Sequence, residues 1–495
     1  MASGSTTIFA QDLHDLQLPL LPRSAEEAAR IAKVTAPTQD FSEPEKFEQK
    51  PAGAATVRAR DTADAFSDPS ANIGLEGRMT FNLGNGLFTK PWVSSPSSTT
   101  ASDGLGPIFN ARACQLCHLK DGRGTPPNNP DEAAVSLFLR LSLPADHTAE
   151  AEAIEGWLST QNDPVYGGQL QNFSLPGIPA EGQMTISYTD RPMTLAGGEV
   201  VTLRAPKYGI SNPGYGPINP ALMMSPRIAP QMIGLGLLEA IPAADILAGA
   251  DPDDADGDGI SGRPNIVMSA EFGVPMLGRF GHKAGMPTIR EQSAGAFSGD
   301  MGLSTPLHPS GAGDCTTPQT ACMAAPDGAD PKDGLEVSAD SLELVTFYSR
   351  NLGVPERRDM ADAEVLHGKE LFYSTGCIAC HTPKFVTGRM DGDVAQSFQL
   401  IWPYTDLLLH DMGDGLADNR PEGRADGREW RTAPLWGIGL TGLVSGHTNY
   451  LHDGRARSLM EAILWHGGEA QAARDTVTNL PKSDRDALIR YLESL

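Results

Sequence analysis

Two short strings with the same cysteine spacing constrain this chain of 495 residues more than any other feature. They are Cys114-Gln-Leu-Cys117-His118 and Cys377-Ile-Ala-Cys380-His381. The Cys-x-x-Cys-His spacing is typical of c-type haem attachment, in which two thiols bind the porphyrin edge and the histidine binds the iron. A zinc knuckle or a redox dithiol is the alternative, but the histidine follows immediately in both strings. The sequence therefore predicts two covalently bound haem c groups, with His118 and His381 as proximal ligands.

The two remaining cysteines, Cys315 and Cys322, fit the same interpretation. Covalent haem attachment takes place outside the cytoplasm, where free thiols tend to oxidise, so this pair is predicted to form a small-loop disulfide. The start of the chain, Met1-Ala-Ser-Gly4, lacks the positive and apolar segments of an export signal. We therefore expect an extracytoplasmic protein whose numbered chain is a mature or engineered form.

Composition excludes several classes of function. Lys and Arg number 38 against 62 Asp and Glu, a net charge of −24, so a nucleic-acid binder with a basic face is not expected. An acidic chain suits a cationic protein partner, although acidity also serves solubility. No run approaches the roughly 18 apolar residues of a membrane span. The 53 Gly and 39 Pro imply many turns and argue against a plain helix bundle.

An internal repeat organises the chain around the two haem strings. Similar segments precede and follow each string, and both copies contain a helix that starts with a capping box. The paired segments are Gly77–Phe81 with Gly368–Phe372, Arg227–Pro230 with Arg431–Pro434, Thr288–Glu291 with Ser458–Glu461, and the helix Ser338–Leu352 with the helix Ser483–Leu495. The simplest account is two related units.

The predicted fold class is therefore mainly α, with two cytochrome c-like haem domains and large loops. Residues 1–70 are predicted to be an N-terminal extension with one helix around Ala25–Ala32. The first haem domain is expected over 71–353 and the second over 354–495. A small β-rich insertion is expected in the first domain at about 128–225. Its strands are predicted at Val135–Leu141, Met184–Tyr188 and Val200–Leu203.

The repeat also predicts that the two irons differ in ligation. On the second capped helix, His466 shares a face with Leu459, Ala462 and Ile463, so it is the predicted distal ligand of the second iron. Its rivals are His410, Met412, Met390, His447 and His452. In the first copy the same register leads to Ala296, which cannot bind iron. The first iron is therefore expected either to be open or to take a ligand from elsewhere.

Several polar residues are candidates for the pocket of the first haem. Gln292, Asp300 and Glu239 are predicted to supply the amide or acid that cleavage of an O–O bond requires for proton transfer. For Glu239, the alternative is a surface or helix-capping carboxylate. His282 has three alternatives that the residues leave open: a ligand of the first haem, a base in the pocket, or a plain loop residue.

Longer motifs carry a family resemblance over about residues 70–495. They include Gly104-Leu-Gly-Pro-Ile-Phe-Asn110 before the first haem string, Ser225-Pro-Arg227, Gly236-Leu-Leu-Glu239, and Trp465-His466-Gly-Gly-Glu469. The chain resembles the di-haem oxidoreductases, distant relatives of bacterial di-haem cytochrome c peroxidase, of the methylamine dehydrogenase maturation enzyme and of rubber oxygenase.

This resemblance implies a periplasmic protein whose N-terminal haem reacts and whose C-terminal haem stores electrons. It also implies that His466 ligates the second iron and that Gln292 and Asp300 match the distal glutamine and acid of the peroxidases. The chain departs from the family at His282, where relatives tend to carry a tryptophan that relays electrons between the haems. The peroxidase loop that provides a removable histidine ligand is not recognisable.

A separate acidic motif predicts a calcium loop. Asp254, Asp256 and Asp258 stand at alternate positions and Gly259 follows at the sixth, as a sharp wrap around a hard cation requires. The twelfth position is Asn265 rather than Glu, so the motif is incomplete. The alternative is an acidic, solvated turn.

Three functions follow from these observations. The leading hypothesis is an extracytoplasmic di-haem enzyme that reduces peroxide at the N-terminal haem, with electrons that a small redox protein delivers to the C-terminal haem. The second is oxidation of an organic or protein substrate by O2 or peroxide, for which the insertion at 128–225 would provide a substrate surface. The third is a di-haem electron-transfer cytochrome without chemistry of its own, favoured if His282 ligates the first haem.

Overall fold

The computed structural model describes residues 13–99, 101–129, 132–392 and 394–495, so Met1–Gly4 lies outside the described residues. Fourteen α-helices occur in these ranges. They are α1 Ala25–Thr35, α2 Gly74–Thr89, α3 Cys114–Cys117, α4 Ala149–Ala153, α5 Leu235–Glu239, α6 Ala243–Leu247, α7 Ile289–Met301, α8 Thr320–Met323, α9 Ala339–Arg350, α10 Ala363–Ser374, α11 Thr441–Ser445, α12 Leu459–Trp465, α13 Gln471–Asn479 and α14 Lys482–Ser494.

Thirteen short or medium strands occur in the same described ranges. They are β1 Ile108–Phe109, β2 Leu137–Pro144, β3 Thr160–Gln161, β4 Phe173–Ser174, β5 Gln183–Thr194, β6 Val200–Ser211, β7 Met223–Ile228, β8 Ile266–Met268, β9 Pro275–Leu277, β10 Phe385–Val386, β11 Leu400–Ile401, β12 Leu409–Asp411 and β13 Glu429–Arg431. Helices account for 28% of the chain and strands for 17%. The prediction of a mainly α fold therefore holds only loosely, because much of this Gly- and Pro-rich chain is irregular.

The segment predicted as a β-rich insertion does contain strands. Strand β2 lies between β3 and β7 in a three-stranded antiparallel sheet, and β5 pairs with β6 in a long hairpin from Gln183 opposite Ser211 to Thr194 opposite Val200. The predicted strands match β2, β5 and β6, but the observed hairpin arms extend further. The strands are longer because every residue of one arm is paired with a residue of the other in the antiparallel hairpin.

The β5–β6 hairpin packs against the C-terminal half of the chain. Leu203 is buried in the same apolar cluster as Trp465 of α12. The Arg204 guanidinium donates to Asn449 Oδ1 at 3.1 Å, and the Tyr208 hydroxyl donates to the buried carboxylate of Asp453 at 2.8 Å. The hairpin therefore joins the two halves, and these residues are committed to internal packing.

The N-terminal extension is also tied into the structure. Helix α1 matches the helix predicted near Ala25. Further along, Glu48 is completely buried, where it pairs with Arg357 and with Lys369, whose Nζ lies 2.9 Å from a carboxylate oxygen. Because an unpaired buried carboxylate would be costly, these cations hold the extension against α10.

Helix pairs α2–α9 and α10–α14 have the same packing arrangement, as an internal repeat requires. Each pair meets at a glycine that lets one backbone approach the other. A Cβ at Gly84 would lie 2.2 Å from the carbonyl oxygen of Leu344, and one at Gly368 would lie 2.0 Å from that of Ala487. A side chain at either glycine would collide with backbone, so both positions require glycine.

The register of this repeat differs from the predicted one. Phe88 packs against His118 with ring centroids 6.2 Å apart, and Phe372 packs against His381 at the same separation. Gly84–Phe88 is therefore the counterpart of Gly368–Phe372, and the predicted match to Gly77–Phe81 was wrong. The two registers differ by about two helical turns, which keeps glycine and phenylalanine on the same face, so periodicity alone does not separate them.

The predicted disulfide is present between Cys315 and Cys322. The loop that it closes carries Gln319, whose side-chain amide donates to the backbone oxygen of Val165 at 2.9 Å and to Glu181 at 2.7 Å. The disulfide therefore constrains a loop that is packed against the insertion.

Replacing both cysteines, Cys315→Ser with Cys322→Ser, should lower the free energy of unfolding by about 2 kcal/mol, because the unfolded chain regains the entropy of a short closed loop. Urea unfolding followed by far-ultraviolet circular dichroism measures this difference. The parent protein treated with a reductant should lose the same amount. Equal unfolding midpoints for the double variant and the oxidised parent would contradict the prediction.

Candidate functional site

Both Cys-x-x-Cys-His strings face one continuous cavity of about 680 Å³. The residues with haem-attachment or ligand chemistry on its wall are Cys114, Cys117, His118, Cys377, Cys380, His381 and His466. The fold thus brings together two strings that are far apart in the chain. The cavity is lined by both halves of the repeat.

Each string holds its histidine ring in a fixed orientation. His118 donates from Nδ1 to the carbonyl oxygen of Pro230 at 2.8 Å, and His381 donates from Nδ1 to that of Tyr404 at 2.9 Å. Burial lowers the pKa of both rings to about 4, so both are neutral at pH 7. A neutral imidazole whose Nδ1 carries the proton presents Nε2 as a free electron pair, which is the form that ligates a metal.

The four thiols have no features of a redox dithiol. Burial raises the pKa of Cys114 to about 12 and that of Cys377 to about 11, whereas a reactive cysteine has a lowered pKa. Among the described residues, the only cluster of three or more His, Cys, Asp or Glu side chains with metal-binding spacing is an acidic one elsewhere. Thiols that are not activated as nucleophiles by a lowered pKa are compatible with the predicted attachment of a porphyrin.

His466 lies at the cavity wall directly after α12. Its Nδ1 donates to the carbonyl oxygen of Ala462 at 2.8 Å, so its Nε2 is free, as in the two string histidines. Burial lowers the pKa of His381 most, the hydrogen bond to Tyr404 opposes this effect, and His466 adds a smaller lowering effect. His466 and His381 therefore line the same part of the cavity.

Helix α7 occupies the equivalent place in the first half. Both helices begin with the predicted N-cap, since Thr288 accepts from the Glu291 backbone and Ser458 from that of Glu461. At these described residues the reciprocal bond of the predicted capping boxes is absent, because the two glutamate side chains accept from the backbones of Ala270 and Arg457 instead. Ala296 and His466 lie at the same distance in sequence from Thr288 and Ser458 and both line the cavity, although α7 continues past Ala296 whereas α12 ends just before His466. The same wall thus carries a methyl group in the first half and an imidazole in the second.

Gln292 and Asp300 line the cavity from the same helix as Ala296, one turn before and one turn after it. Asp300 accepts a hydrogen bond from Gln169 Nε2 at 2.8 Å. Burial raises the pKa of Asp300, although Arg140 and the bond from Gln169 oppose this effect. A carboxyl group with a raised pKa beside a cavity holds its proton to higher pH than an ordinary aspartate does.

Glu239 does not line the cavity in the part of the chain that the structure describes. One carboxylate oxygen accepts from the Ile289 backbone at the start of α7 at 2.8 Å, and the other accepts from Arg350 at 2.9 Å. The prediction of a pocket acid is therefore wrong for Glu239. Its carboxylate stabilises a helix N-terminus, where unpaired N–H groups and the helix dipole attract negative charge.

His282 lines the cavity, but its Nε2 is already engaged. This nitrogen donates to the carbonyl oxygen of Ile228 at 2.9 Å, and burial lowers the pKa of the ring to about 3. The ring lies edge-on to Trp430 with centroids 6.4 Å apart, and Trp430 stacks on His452 at 3.7 Å. The arrangement leaves no free Nε2 on His282 for an iron.

His410 has no free ring nitrogen for a ligand role. Its Nε2 lies 2.8 Å from Asp406 and its Nδ1 lies 2.7 Å from Glu469, while Cys380 Sγ lies 3.5 Å from Nδ1. The two carboxylates outweigh the effect of burial and raise the pKa of the His410 ring, so it stays an imidazolium at neutral pH. A positive charge therefore lies beside the second haem string.

Unpaired cations on the cavity wall suit the carboxylate groups of a haem. Arg123 is buried against Tyr450, and its Nε has no hydrogen-bond partner among the described residues. Arg431 donates only to backbone oxygens of Gly281 and Thr432. Burial lowers the pKa of both arginines, although Tyr450 opposes this effect at Arg123 and Asp406 opposes it at Arg431. The thiols, free histidine nitrogens and unpaired cations together fit a haem in each half.

The acidic loop places three carboxylates within 4.8 Å of one another, but not the predicted three. They belong to Asp251, Asp254 and Asp256. Asp258 instead accepts from the backbone of Ile260 at 2.8 Å and stabilises its own turn. Asn265 is fully buried and bonded to backbone groups elsewhere. Asp254 and Asp256 also accept from backbone N–H groups of this loop, so calcium binding and the ligand role of Asp258 stay predictions.

Comparison with protein families gives one match, to the family described as "Di-haem oxidoreductase, putative peroxidase", over residues 47–495. This chain belongs to the di-haem oxidoreductase family. No match was found among curated proteins. Among solved structures, hydrazine synthase of Kuenenia stuttgartiensis, pressurised with 20 bar of xenon, is similar at 13% identity, over 92% of this chain and 100% of that chain, with a TM-score of 0.30.

Membership of the di-haem oxidoreductase family accounts for haem as the cofactor and for redox chemistry in general. Within the described residues, none of the helices combines the length and apolar character needed to cross a bilayer. The family match includes both strings and both copies of the repeat, as the sequence resemblance predicted.

Some residues of this di-haem oxidoreductase site were missed by sequence reasoning. Arg123, Arg140 and Trp430 line the cavity, and Gln169 supports Asp300 from behind. Arg123 directly follows Gly122 after the first string, and Trp430 directly precedes the repeated segment Arg431–Pro434. Their position beside these motifs was the signal that could have identified them. Gln169 lies in the insertion, where no pattern distinguished it.

The raised pKa of His410 predicts a pH-dependent stability of the di-haem oxidoreductase. The unfolded ring loses its proton near pH 6.5, whereas the folded ring keeps it. The stabilisation is therefore complete below pH 6.5 and decreases as pH rises, by up to about 1.4 kcal/mol per pH unit. The difference in unfolding free energy between the parent and His410→Gln should shrink from pH 6 to pH 8. A difference that stays constant over this range would refute it.

Proposed function

We propose that this protein reduces peroxide in the part of the cavity between His118 and Ala296, with electrons held in the part between His381 and His466. Two covalently attached haems, one on each Cys-x-x-Cys-His string, are the cofactors of this proposal. The single observation that carries it is the contrast between Ala296 and His466 at equivalent places on one cavity wall.

This contrast separates a reactive site from a storage site. A second histidine ligand, as His466 would be, would leave an iron no position for a substrate, whereas the alanine at the matching position of the first half would leave one. His282 does not fill that position through Nε2, because this nitrogen donates to Ile228. The arrangement therefore supports an enzyme over the electron-transfer cytochrome that the sequence left as an alternative.

The residues on each string would hold one haem. Cys114 and Cys117 would bind one porphyrin and His118 would bind its iron, and Cys377, Cys380 and His381 would do the same in the second half. Arg123 and Arg431 would pair with porphyrin carboxylates. When bound, the two haems supply redox chemistry, and two irons match the two electrons that reduction of peroxide to water consumes.

Residues of the chain would supply protons to the part of the cavity beside Ala296. Reduction of one peroxide to two waters consumes two protons, which have to reach a buried cavity. Gln292 has an amide that can orient a peroxide by donating a hydrogen bond, and Asp300 has a carboxyl group that can hold a proton. Gln169 holds Asp300 in place by donating to one of its oxygens. These three residues all belong to the first half.

Finer features of the proposal come from the sequence and the family resemblance. Each half would be a cytochrome c-like unit, and the protein would act in the periplasm, where c-type attachment takes place. A small redox protein would deliver the electrons. Its charge would be positive, because the chain carries a net charge of −24 and opposite charges speed association.

A reciprocal pair of variants tests the ligand contrast. His466→Ala should convert a low-spin haem signal to high spin, because the second iron loses its sixth ligand. Ala296→His should instead remove the high-spin component of the first haem and abolish its reaction with peroxide. Electron paramagnetic resonance of the oxidised holoprotein measures both changes. If neither substitution alters an iron signal, the ligand contrast is wrong.

Peroxide turnover tests the function itself. The parent should oxidise a reduced small cytochrome with hydrogen peroxide, and Asp300→Asn should lower kcat/KM for peroxide by about 100- to 10,000-fold, the usual contribution of a proton-transferring group. Exposed Asp333→Asn makes the same charge change away from the cavity and should behave like the parent. A parent that oxidises an added organic or protein substrate, but not the reduced cytochrome, would instead support the second function from the sequence.

A further inference from the structure

A group of buried polar residues lies behind Asp300, on the side away from the cavity. It is formed by the insertion and by the residues at the disulfide loop, neither of which belongs to the repeat. Gln169 is 1% exposed and stands at its centre. Its side-chain amide donates to Asp300 at 2.8 Å and to Asn110 at 2.6 Å.

The other side of Gln169 contacts a second carboxyl group. The backbone N–H groups of Gln169 and Gly168 both donate to Oδ2 of Asp314, at 2.9 and 2.8 Å. Gln169 therefore stands between two carboxyl groups, bonding to Asp300 with its side chain and to Asp314 with its backbone. Arg140 acts electrostatically on both carboxylates, which places them around a common cation.

Asp314 is the outer member of this group. It is half-buried and directly precedes Cys315, in a loop whose tip residues Thr317 and Pro318 are exposed. Space for its carboxylate depends on Gly167, where a Cβ would lie 2.5 Å from the Asp314 carboxyl carbon. The disulfide at Cys315 and the glycine together hold the Asp314 carboxylate between the loop surface and Gln169.

One atom in the group lacks a partner. Gln169 Oε1 is buried and accepts no hydrogen bond from the described residues. A buried acceptor without a donor costs about 1–3 kcal/mol, so such atoms are normally bonded to ordered water. A water donating to Oε1 would lie next to the amide nitrogen that holds Asp300.

We infer that Asp314, a water bound at Gln169 Oε1, and Asp300 form the proton entry route to the open side of the cavity. This inference rests on the proposed function and deepens it by naming how protons arrive. Asp314 would pass a proton to the water, and the water would release another to Asp300. Asp314 would then take a replacement proton from solvent, so each transfer restores the route and no other group changes.

The charge environment supports this assignment. Burial raises the pKa of Asp314 to about 6, with the two backbone N–H groups and Arg140 opposing it, and burial also raises the pKa of Asp300. Carboxyl groups with raised pKa values keep their protons to higher pH than ordinary aspartates, which suits a group that passes protons on. The nearby buried Glu181 is different, because both of its oxygens are bonded, to Gln171 and Gln319.

Asp314→Asn tests the route in the holoprotein. It should lower the rate of peroxide reduction by about 10- to 100-fold, because asparagine cannot supply a proton. A small carboxylic acid in the buffer should restore part of the rate, which a purely structural defect would not allow. Asp314→Glu keeps the acid and should retain much of the activity. Asp327→Asn is exposed, lies in the same segment and should match the parent.

A second measurement does not depend on peroxide activity. Reduction of the haems adds negative charge to the cavity, so Asp300 should take up a proton from solvent. A pH-sensitive dye in weakly buffered solution, after rapid photochemical reduction, reports the rate of this uptake. Asp314→Asn and Gln169→Met should both slow it by about tenfold or more. Gln169→Met keeps Asp314 and serves if Asp314→Asn does not fold.

The rate of peroxide reduction and the rate of proton uptake together show whether the proposed function or the proton route is wrong. If the parent does not reduce peroxide but Asp314→Asn slows proton uptake, the proposed function is wrong and the route stands. If the parent reduces peroxide and both variants match it in rate and in proton uptake, the route is wrong and the function stands. Rescue by a small acid in Asp314→Asn, but not in Asp327→Asn, would support the route directly.

Discussion

The rest of the site depends on one hydrogen bond that occurs twice, from a buried histidine Nδ1 to a backbone carbonyl. The bond fixes the tautomer and turns Nε2 of His118 and of His381 toward the cavity. Burial keeps both rings neutral, and a neutral imidazole is the form that binds iron. The glycines that let the helix pairs meet, Gly84 and Gly368, and the phenylalanines packed on the two rings hold this geometry in both halves. The two halves share this arrangement of histidine, glycine and phenylalanine, and they differ in the residues around it.

The differences between the halves are concentrated on the opposite wall. Helix α7 carries small and polar side chains there, and it is backed by the insertion through Gln169. Helix α12 is shorter, ends at the histidine itself, and is backed by apolar residues of the β5–β6 hairpin such as Leu203. The first half thus has polar groups and a methyl group on this wall, whereas the second has a nitrogen donor there. The proposed division between a reactive site and a storage site rests on this difference.

Sequence patterns were reliable where a residue type has few physical uses. The Cys-x-x-Cys-His strings, the disulfide and the N-caps at Thr288 and Ser458 are of this kind. Patterns were unreliable where one helical periodicity is compatible with two registers, as for Gly77 and Gly84. They were also unreliable where a carboxylate can either act in a pocket or stabilise the fold. Glu239 is the residue type expected of a pocket acid, yet its two carboxylate oxygens accept hydrogen bonds from a helix N-terminus and from Arg350. Local sequence does not show which partner a long-range fold will bring to a carboxylate.

The sequence by itself determined the two haem strings, the asymmetry of Ala296 and His466, and the existence of a strand-rich insertion, because these follow from residue identity and short-range spacing. Only the tertiary structure decided that both strings share one cavity, that the insertion joins the halves, and that Gln169 stands between Asp300 and Asp314. The physical reason is that burial and hydrogen-bond partners depend on contacts between segments more than a hundred residues apart, such as Gln169 with Asp314. No local pattern carries that information.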